Sequence, residues 1–378
     1  MLRSGVEVRK SMSDYCRDAH VLTSKPESVS HIGSADCRDE RPPSETVCFV
    51  FMILFRPFRA AVLGIVVLLI AGGVSPTHAQ SPEPRLRQVG EVDHPPVDEM
   101  SGIVKSPQFD DVWWVHNDSG DRPRLFAIDS TGNAHLAPWR ADRYVTGATA
   151  VDTSDRPTWP GLILGDAAHI DYEDVAVEDS VLYVGDIGNN GNARRDLGIY
   201  VIPEPFYYAR RTRPMKHLRI RYPDQETYPA EKWDYDAEGL FVDDGTLYVL
   251  TKRRKGQQID ELDPGTTLYR LDTEHPHRVN TLTIADRHPT IAPPTAAALS
   301  PSGDRLAVLC TTGVWIFPRP AEGDAWLSTE PRAIKLPESR LKQAEAVTWD
   351  DPRTLRITNE NRDVFVLPLG DDRVEEAE

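Results

Sequence analysis

Carboxylate and amide side chains flank two short apolar runs in residues 172–190, YEDVAVEDSVLYVGDIGNN, and these are groups that could bind a cation. Glu173 and Asp174 open the first run, and Asp186 closes the second. The Glu-Asp-Ser sequence between the runs is typical of a turn, so the segment is predicted to be a β-hairpin. The start and the end of a hairpin lie at the same edge, so we expect these polar side chains to lie close together.

The same hairpin pattern recurs along the chain, and superposing the copies gives two columns of residues. The column at the start of the first strand contains Ser101, Glu173, Glu238, Ala296 and Glu345. The column at the end of the second strand contains Asn117, Asp186, Thr251, Cys310 and Asn359. The position after each member of the second column is occupied by Asp118, Ile187, Lys252, Thr311 and Glu360.

Carboxylates that converge in this way repel one another unless some are protonated or a cation lies among them. Oxygen ligands without a His or Cys pair favour a hard ion, so calcium is the expected cofactor. The expected metal ligands are Glu173, Asp186, Asn117, Asp118 and Asn359. The alternative is a structural polar ring that ties neighbouring repeats together through backbone N–H groups.

A second set of residues in the same columns is assigned to ligand binding. It consists of Glu238, Glu345, Lys252 and Arg253. The basic run 252–255 follows the end of a second strand and could bind a phosphate or carboxylate group of a ligand. The alternative for this run is a solvated loop.

Five repeats of about four short strands predict an all-β fold, a β-propeller of four-stranded antiparallel blades. The repeats begin near residues 101, 173, 238, 296 and 345. The last repeat supplies three strands, and a lead-in strand near 86–92 could complete it and remove an exposed edge. Five blades are expected, and the long loop 142–171 leaves six blades as the alternative.

The N-terminal part of the chain resembles a targeting segment. Arg56 and Arg59 precede the apolar run 60–74, and small residues follow, so residues 52–79 are expected to be a signal peptide. Residues 1–51 are expected to be disordered, or to be absent from the protein because the start codon has been misassigned. Residues 80–369 are expected to form the propeller, and residues 370–378 an acidic tail. The protein is therefore expected to be exported, periplasmic or extracellular, with no membrane span after cleavage. An uncleaved N-terminal anchor is the alternative.

Composition limits the choice of partners. The formal net charge of −16 argues against nucleic acid, because phosphates would be repelled. Only Cys310 remains after cleavage, so the propeller has no internal disulfide and depends on burial for its stability. The expected partners are a small anionic ligand, a glycan or a protein, and a monomer is expected.

The motifs SGI…WVHNDSGD, DYEDVAV…LYVGDIGNN, DAEGLFV…LYVLTKR, TAAALSPSGDRLAV and QAEAV…TNE resemble a group of exported bacterial β-propeller proteins of mostly unknown function. The resemblance covers about residues 97–368. More loosely, the chain is similar to esterase-like phytase domains and to SMP-30/gluconolactonase-like propellers. The latter resemblance implies a divalent ion at the channel mouth, held by the matching residues Glu173, Asn117, Asp186 and Asn359. Where the group usually has GDIGDN, this chain has GDIGNN, and Asn190 brings one negative charge fewer.

Two functions follow from these observations. The first is an exported propeller with a cation-binding channel mouth that acts as a ligand- or protein-binding module. The alternative is a metal-dependent hydrolase of phosphate esters or lactones, in which a cation-held water near Glu173 is the nucleophile. No GxSxG, HExxH, Walker A or GxGxxG motif is present, and no general base stands out, which favours the binding module.

Overall fold

The computed structural model describes residues 86–147 and 155–370. The expectations for residues 1–51, 52–79 and 371–378 lie outside the described residues, as do the first residues of the range 80–369. Within the described ranges, no helix is both long enough and apolar enough to cross a membrane.

The described residues form five β-sheets, which are the five blades of a propeller. The first strand is β1 (Arg87–Glu91), which belongs to the last blade. Blade 1 contains β2 (Met100–Lys105), β3 (Trp113–Asn117), β4 (Arg124–Ile128) and β5 (Leu162–Leu164). Blade 2 contains β6 (Tyr172–Glu178), β7 (Val181–Asp186), β8 (Gly198–Pro203) and β10 (Lys216–Arg221). Between β8 and β10, the short strand β9 (Arg211–Thr212) pairs with β5 of blade 1.

The remaining three blades follow in chain order. Blade 3 contains β11 (Trp233–Asp243), β12 (Thr246–Arg254), β13 (Leu262–Asp263), β14 (Thr266–Leu271) and β16 (Thr283–His288). Between β14 and β16, the short strand β15 (Asn280–Thr281) pairs with β10 of blade 2. Blade 4 contains β17 (Pro294–Leu299), β18 (Arg305–Cys310), β19 (Gly313–Pro318) and β20 (Arg332–Lys335). Blade 5 contains β21 (Ala344–Asp351), β22 (Thr354–Asn359), β23 (Asp363–Pro368) and β1. The described helices are short: two 3₁₀ turns, Pro138–Arg140 and Trp326–Ser328, and α1, Glu338–Leu341.

The predicted closure of the last blade by the lead-in strand is confirmed. Strand β1 pairs antiparallel with β23, from Arg87 opposite Val366 to Glu91 opposite Asp363. This pairing covers the outer edge of β23, which would otherwise offer unpaired N–H and C=O groups.

The six-blade alternative is wrong, because the long loop returns to blade 1. Leu162–Leu164 pairs with β4 as the fourth strand of that blade. After β4 the chain leaves the sheet and makes the 3₁₀ turn Pro138–Arg140, so the outer strand comes from a later segment.

The core of the molecule lies between successive blades. Five apolar clusters each join residues of two neighbouring blades, for example Trp114 of blade 1 with Tyr172 and Leu182 of blade 2. The inner strands β2, β6, β11, β17 and β21 pack around the central axis. Their aliphatic side chains narrow the channel to a cavity of about 40 Å³, which we call the throat.

Each inner strand carries a β-bulge at the same place, next to the end of the strand where the chain enters. The residues in the bulges are Ser101, Glu173, Glu238, Thr295 and Glu345, which we call the bulge ring. The predicted column is therefore correct in four blades and wrong in blade 4. There Pro294 lies opposite Cys310 and Ala296 opposite Leu309, so Thr295, not Ala296, is the equivalent residue.

The second predicted column is confirmed by the strand register. Its members lie opposite the residues that precede the bulges: Asn117 opposite Met100, Asp186 opposite Tyr172, Thr251 opposite Ala237, Cys310 opposite Pro294 and Asn359 opposite Ala344. Both columns therefore lie at one end of the channel, which we call the mouth; the opposite end is the far end.

One buried carboxylate ties three blades together. Asp174 is fully buried on β6, and its Oδ2 accepts hydrogen bonds from Leu240 N of β11 at 2.8 Å and Ala297 N of β17 at 3.2 Å. Its Oδ1 accepts a hydrogen bond from Val175 N at 2.8 Å. The structural role expected for the polar ring is thus filled by Asp174, the neighbour of Glu173.

We expect Asp174→Ala to lower the free energy of unfolding by about 3 kcal/mol or more, because it leaves buried N–H groups of two other blades without an acceptor. Asp174→Asn keeps an amide oxygen as acceptor and should cost clearly less. Chemical denaturation of both variants tests this. Equal stabilities of Asp174→Ala and the unmodified chain would show that these bonds do not hold the blades together.

Candidate metal centre

The bulge ring combines two kinds of side chain at the mouth. In blades 1 and 4 it provides hydroxyls that tie successive blades: Ser101 Oγ donates to Glu173 O at 2.9 Å, and Thr295 Oγ1 donates to Ala344 O at 2.8 Å. In the other three blades it provides Glu173, Glu238 and Glu345. A bulge redirects a side chain out of the regular alternation of a strand, and here it places these glutamates among other carboxylates.

Two groups of three carboxylates occur at the mouth. Asp118, Asp171 and Glu173 each offer an oxygen atom, and these atoms lie within 4.8 Å of one another. Glu173, Asp236 and Glu238 meet the same distance criterion. We call these the first and the second triad; Glu173 belongs to both.

Sequence reasoning missed Asp171 and Asp236, although a signal was present. Each lies two residues before a bulge-ring glutamate, so blades 2 and 3 share the pattern Asp-x-Glu: Asp171 with Glu173, and Asp236 with Glu238. Side chains two residues apart in an extended segment point to the same side, so each aspartate lies beside its glutamate.

The protein's own cations neutralise the second triad. Arg254 Nη2 lies 2.5 Å from Asp236 Oδ2, and both residues are buried. Lys252 Nζ lies 2.5 Å from Glu238 Oε1. Burial opposes the charge of Lys252, but Glu238 and the neighbouring carboxylates outweigh it and raise the pKa of the Lys252 ammonium.

The first triad has no such cation. Glu173 is 7% exposed, and its carboxylate forms no hydrogen bond or ion pair with any residue in the described part of the chain. Asp171 Oδ2 accepts one long hydrogen bond, from Asn190 Nδ2 at 3.4 Å. Asp118 Oδ1 accepts a hydrogen bond from Ser119 N at 2.6 Å.

The pKa values of the first triad reflect this crowding. Burial and the nearby Asp118 and Asp236 raise the pKa of Asp171 to about 7, although Arg194 opposes the shift. Burial, followed by Glu238 and the other carboxylates, raises the pKa of Glu173 well above its usual range. Burial also raises the pKa of Asp118. Ionising all three groups is therefore costly unless a cation compensates.

The two predicted asparagine ligands are engaged by their own loops. Asn117 Oδ1 accepts a hydrogen bond from Asp98 N at 3.2 Å, and its Nδ2 donates to Pro96 O at 2.8 Å. Asn359 Oδ1 accepts a hydrogen bond from Asp363 N at 3.0 Å, and its Nδ2 donates to the same residue's carboxylate. Asn117 thus holds the segment before β2 and, through Asp121, the turn after β3, while Asn359 holds the turn after β22. Neither amide is a member of a triad.

Asp186 and Arg253 belong to neither triad, because each is bound to other side chains. Asp186 Oδ1 accepts hydrogen bonds from Arg194 Nη2 at 2.8 Å and from Asp171 N at 3.0 Å, so a guanidinium already neutralises it. Arg253 Nη2 donates to Thr267 Oγ1 on the next strand at 3.4 Å, within its own blade. Of the predicted ligands, Glu173 and Asp118 are the two that the structure brings together.

Glu345 lies close to the triads but belongs to neither. Burial raises the pKa of its carboxyl to about 7; Lys252 opposes this, and Glu360 and Asp118 add to it. Burial likewise raises the pKa of Glu360, which follows Asn359 at the rim of the mouth. The mouth therefore has a surplus of acidic groups beyond the first triad.

The nearby histidines belong to neither triad. His169 stacks on Tyr172 with ring centroids 3.8 Å apart, and its Nε2 and Nδ1 lie 2.7 Å from Asp118 O and 2.9 Å from Arg122 O. His116 is fully buried with Nδ1 3.0 Å from Asn117 O, and burial lowers its pKa to about 4. His116 is therefore a packed residue of the core.

Gly188 explains part of the GDIGNN motif. A Cβ at this position would lie 2.1 Å from Glu173 Oε1 and 2.4 Å from Asp171 Oδ2. Two carboxylates of the first triad therefore lie directly against the Gly188 backbone, and any side chain here would push them apart.

No family model matches this chain, and no curated protein sequence matches it. Solved structures similar to it include a glucose dehydrogenase, with 11% identity over 76% of this chain and 100% of that one and a TM-score of 0.38. The PQQ-bound aldose sugar dehydrogenase from Streptomyces coelicolor has 12% identity over 76% and 99% of the two chains and a TM-score of 0.38. A luciferin-regenerating enzyme has 8% identity over 75% and 95% and a TM-score of 0.38. At these TM-scores the overlaps carry no argument about chemistry, and the propeller architecture rests on the sheet topology.

We expect the stability of the metal-free protein to fall as the pH rises from about 5 to 8, because carboxyls with raised pKa values ionise at a cost in the folded state. Glu345→Gln removes one of them and should reduce that fall by about 2 kcal/mol. Urea denaturation in the presence of a chelator at several pH values measures it. Glu322→Gln, at an exposed position, is the matched control. Parallel pH profiles for Glu345→Gln and the unmodified chain would contradict the expectation.

Proposed function

We propose that the mouth of the propeller binds a divalent cation, calcium, through Asp118, Asp171 and Glu173, and that a ligand binds over this cation. The observation that carries the proposal is Glu173: a buried carboxylate, grouped with two others, that forms no hydrogen bond or ion pair among the described residues, while the nearby Lys252 is paired with Glu238. A buried charge without a partner costs several kcal/mol, so such a group is either protonated or paired with something outside the protein.

Blade 3 supports this assignment as an internal comparison. It carries the same Asp-x-Glu pattern, yet there each carboxylate has a cation of its own, Arg254 for Asp236 and Lys252 for Glu238. In blade 2, Asn189 lies three residues after Asp186 of the second column, and the equivalent place in blade 3, three residues after Thr251, is occupied by Arg254. The Asn189 amide donates to Tyr235 O at 2.9 Å, so Asp171 receives no equivalent ion pair. Asp171 and Glu173 of blade 2 therefore have no ion-pair partner among the described residues, and we propose that a bound cation takes this place.

The donor set fits calcium. The first triad offers oxygen atoms only, and both nitrogens of the neighbouring His169 lie against carbonyl oxygens. Calcium accepts six to eight oxygen ligands, so three carboxylates leave positions for water and for a ligand. A softer metal such as zinc would require a nitrogen or sulfur ligand that these residues do not provide.

The ligand is proposed to be a small anion or the anionic group of a larger partner. A cation held by three carboxylates keeps open positions that favour oxygen donors, and the ammonium of Lys252 lies at the same mouth. The throat supports binding rather than passage, because its cavity of about 40 Å³ is lined by aliphatic side chains. Export of the protein is retained as part of the proposal, on the basis of the apolar run 60–74 that follows Arg56 and Arg59.

We expect calcium to bind to the chelator-treated protein and to raise its melting temperature, since a ligand of the folded state stabilises it. Glu173→Gln should weaken calcium binding by about tenfold or more, because one charged ligand is lost. Isothermal titration calorimetry with calcium chloride measures both.

The matched control is Glu345→Gln, which removes another acidic group of the bulge ring outside both triads and should weaken binding much less. If Glu173→Gln binds calcium as tightly as the unmodified chain, the first triad is not the site.

A metal-dependent hydrolase of phosphate esters or lactones is the second candidate. The observation that favours it is Glu345, whose pKa of about 7 suits a general base at neutral pH. A cation on the first triad would supply an electrophile for the ester oxygen. Glu345 would then accept the proton of the attacking water.

For the hydrolase we expect turnover of a phosphate monoester or a lactone in the presence of calcium, with Glu345→Gln slowing it by about a hundredfold while calcium still binds. A screen with p-nitrophenyl phosphate and gluconolactone measures it. Calcium binding without turnover of either substrate would favour the binding module.

A further inference from the structure

We propose that a basic aromatic cleft on the outer side of blade 1 binds an acidic polysaccharide, a chain of sugar rings that carry carboxylates. The cleft has a volume of about 330 Å³ and is lined by Trp139, Arg140, Arg143, Tyr144 and Arg210. Three of these five residues are cationic and two are aromatic. The chain as a whole has a net charge of −16, whereas the charged residues that line this cleft are all arginines.

The cleft is separate from the mouth. Trp139 and Arg140 belong to the 3₁₀ turn Pro138–Arg140 between β4 and β5, and Arg210 directly precedes β9. Strands β5 and β9 are the outermost strands of blade 1, whereas the triads lie at the inner strands, so the cleft lies on the outer side of the blade, away from the channel axis.

The three arginines have no acidic partner among the described residues. No carboxylate lies in ion-pair distance of Arg140, Arg143 or Arg210, and Arg140 Nε is buried without a hydrogen-bond acceptor. Arg140 lies over the Trp159 ring at 5.3 Å and Arg210 near the Tyr144 ring at 5.9 Å. These cation–π contacts hold the flat faces of the guanidinium groups and leave their N–H edges free, which is the geometry that binds carboxylates through two hydrogen bonds.

Aromatic rings continue the cleft into a strip along the surface. Trp139 contacts Tyr208 with centroids 5.0 Å apart, Tyr208 contacts Tyr207 at 4.0 Å, and Tyr207 contacts Phe109 at 5.1 Å. Phe206 contacts Phe109 at 5.3 Å and ends the strip. Trp139 and Phe206 are 65% and 66% exposed, which is a large amount of aromatic surface in contact with water. A strip of exposed aromatic surface marks an interaction site.

The two features together select the ligand. Exposed aromatic faces suit the apolar C–H faces of sugar rings, and free guanidinium edges suit carboxylates. A polysaccharide with a carboxylate on its sugars offers both along an extended chain. Nucleic acid offers rings and anions too, but it carries one phosphate every 3.4 Å or so along a strand, and three arginines on a strongly acidic protein do not balance that density.

Binding of a short oligogalacturonate to the full chain, measured by calorimetry, tests the proposal, with a neutral cello-oligosaccharide, polyglutamate and single-stranded DNA as comparison ligands. We expect the oligogalacturonate to bind, and the double variant Arg143→Ala/Arg210→Ala to weaken it by about tenfold or more, because two charge-assisted contacts are lost. Trp139→Ala should also weaken it, and this loss should persist at high salt, where the arginine contribution is screened.

Arg213→Ala is the matched control. Arg213 is an exposed arginine three residues after Arg210, but it pairs with Asp166 at 3.3 Å, so its removal should leave the affinity unchanged. The proposal is overturned if the oligogalacturonate does not bind or if its binding survives the double variant. It is also overturned if the neutral sugar, polyglutamate or DNA binds equally tightly.

Discussion

A carboxylate that leaves water has to gain a hydrogen-bond donor or a cation, and the inner strands of this propeller meet that requirement in different ways. Asp174 accepts hydrogen bonds from backbone N–H groups of three blades and so connects these blades near the channel axis. Asp236 and Glu238 gain Arg254 and Lys252. Glu173, which precedes Asp174 in the chain, gains neither. This contrast within one ring of strands distinguishes structural acidic residues from the proposed cation ligands.

The β-bulges make the contrast possible. In a regular strand, the side chains of Glu173 and Asp174 would point to opposite faces of the sheet. Asp171, two residues before Glu173, would lie on the same face as Glu173. The extra residue changes the direction of the strand at the mouth, so that Glu173 joins Asp118 and Asp171 while Asp174 stays among the backbone groups below. Gly188 completes the arrangement because only a residue without a Cβ allows two carboxylates to approach its backbone so closely.

Much of the fold could be predicted from the sequence, because recurring hairpins show themselves in the spacing of apolar runs and turns. The bulge-ring glutamates, the closing strand and the five blades all follow from that spacing. The site was predicted less completely. Asn117 and Asn359 have the right side-chain type but bind their own turns, which is a matter of loop conformation that spacing does not specify. Asp171 was overlooked because it precedes the first residue of β6 and so lies outside the two columns drawn from the hairpins. In blade 4 the bulge shifted the assignment by one residue, from Thr295 to Ala296.

The seal of the ring between β1 and β23 has a consequence for biosynthesis. Gln88 Nε2 donates to Asp363 Oδ1 at 2.8 Å, across a separation of 275 residues. The first strand of the described residues therefore finds its partner only when the last described strand has been made, and until then four blades can be assembled beside an open gap. Contacts of such long range form slowly. Unpaired strand edges are prone to association with other chains during that delay. The closed ring therefore protects its strand edges once folding is complete, but those edges are exposed to association with other chains while the protein is being synthesised.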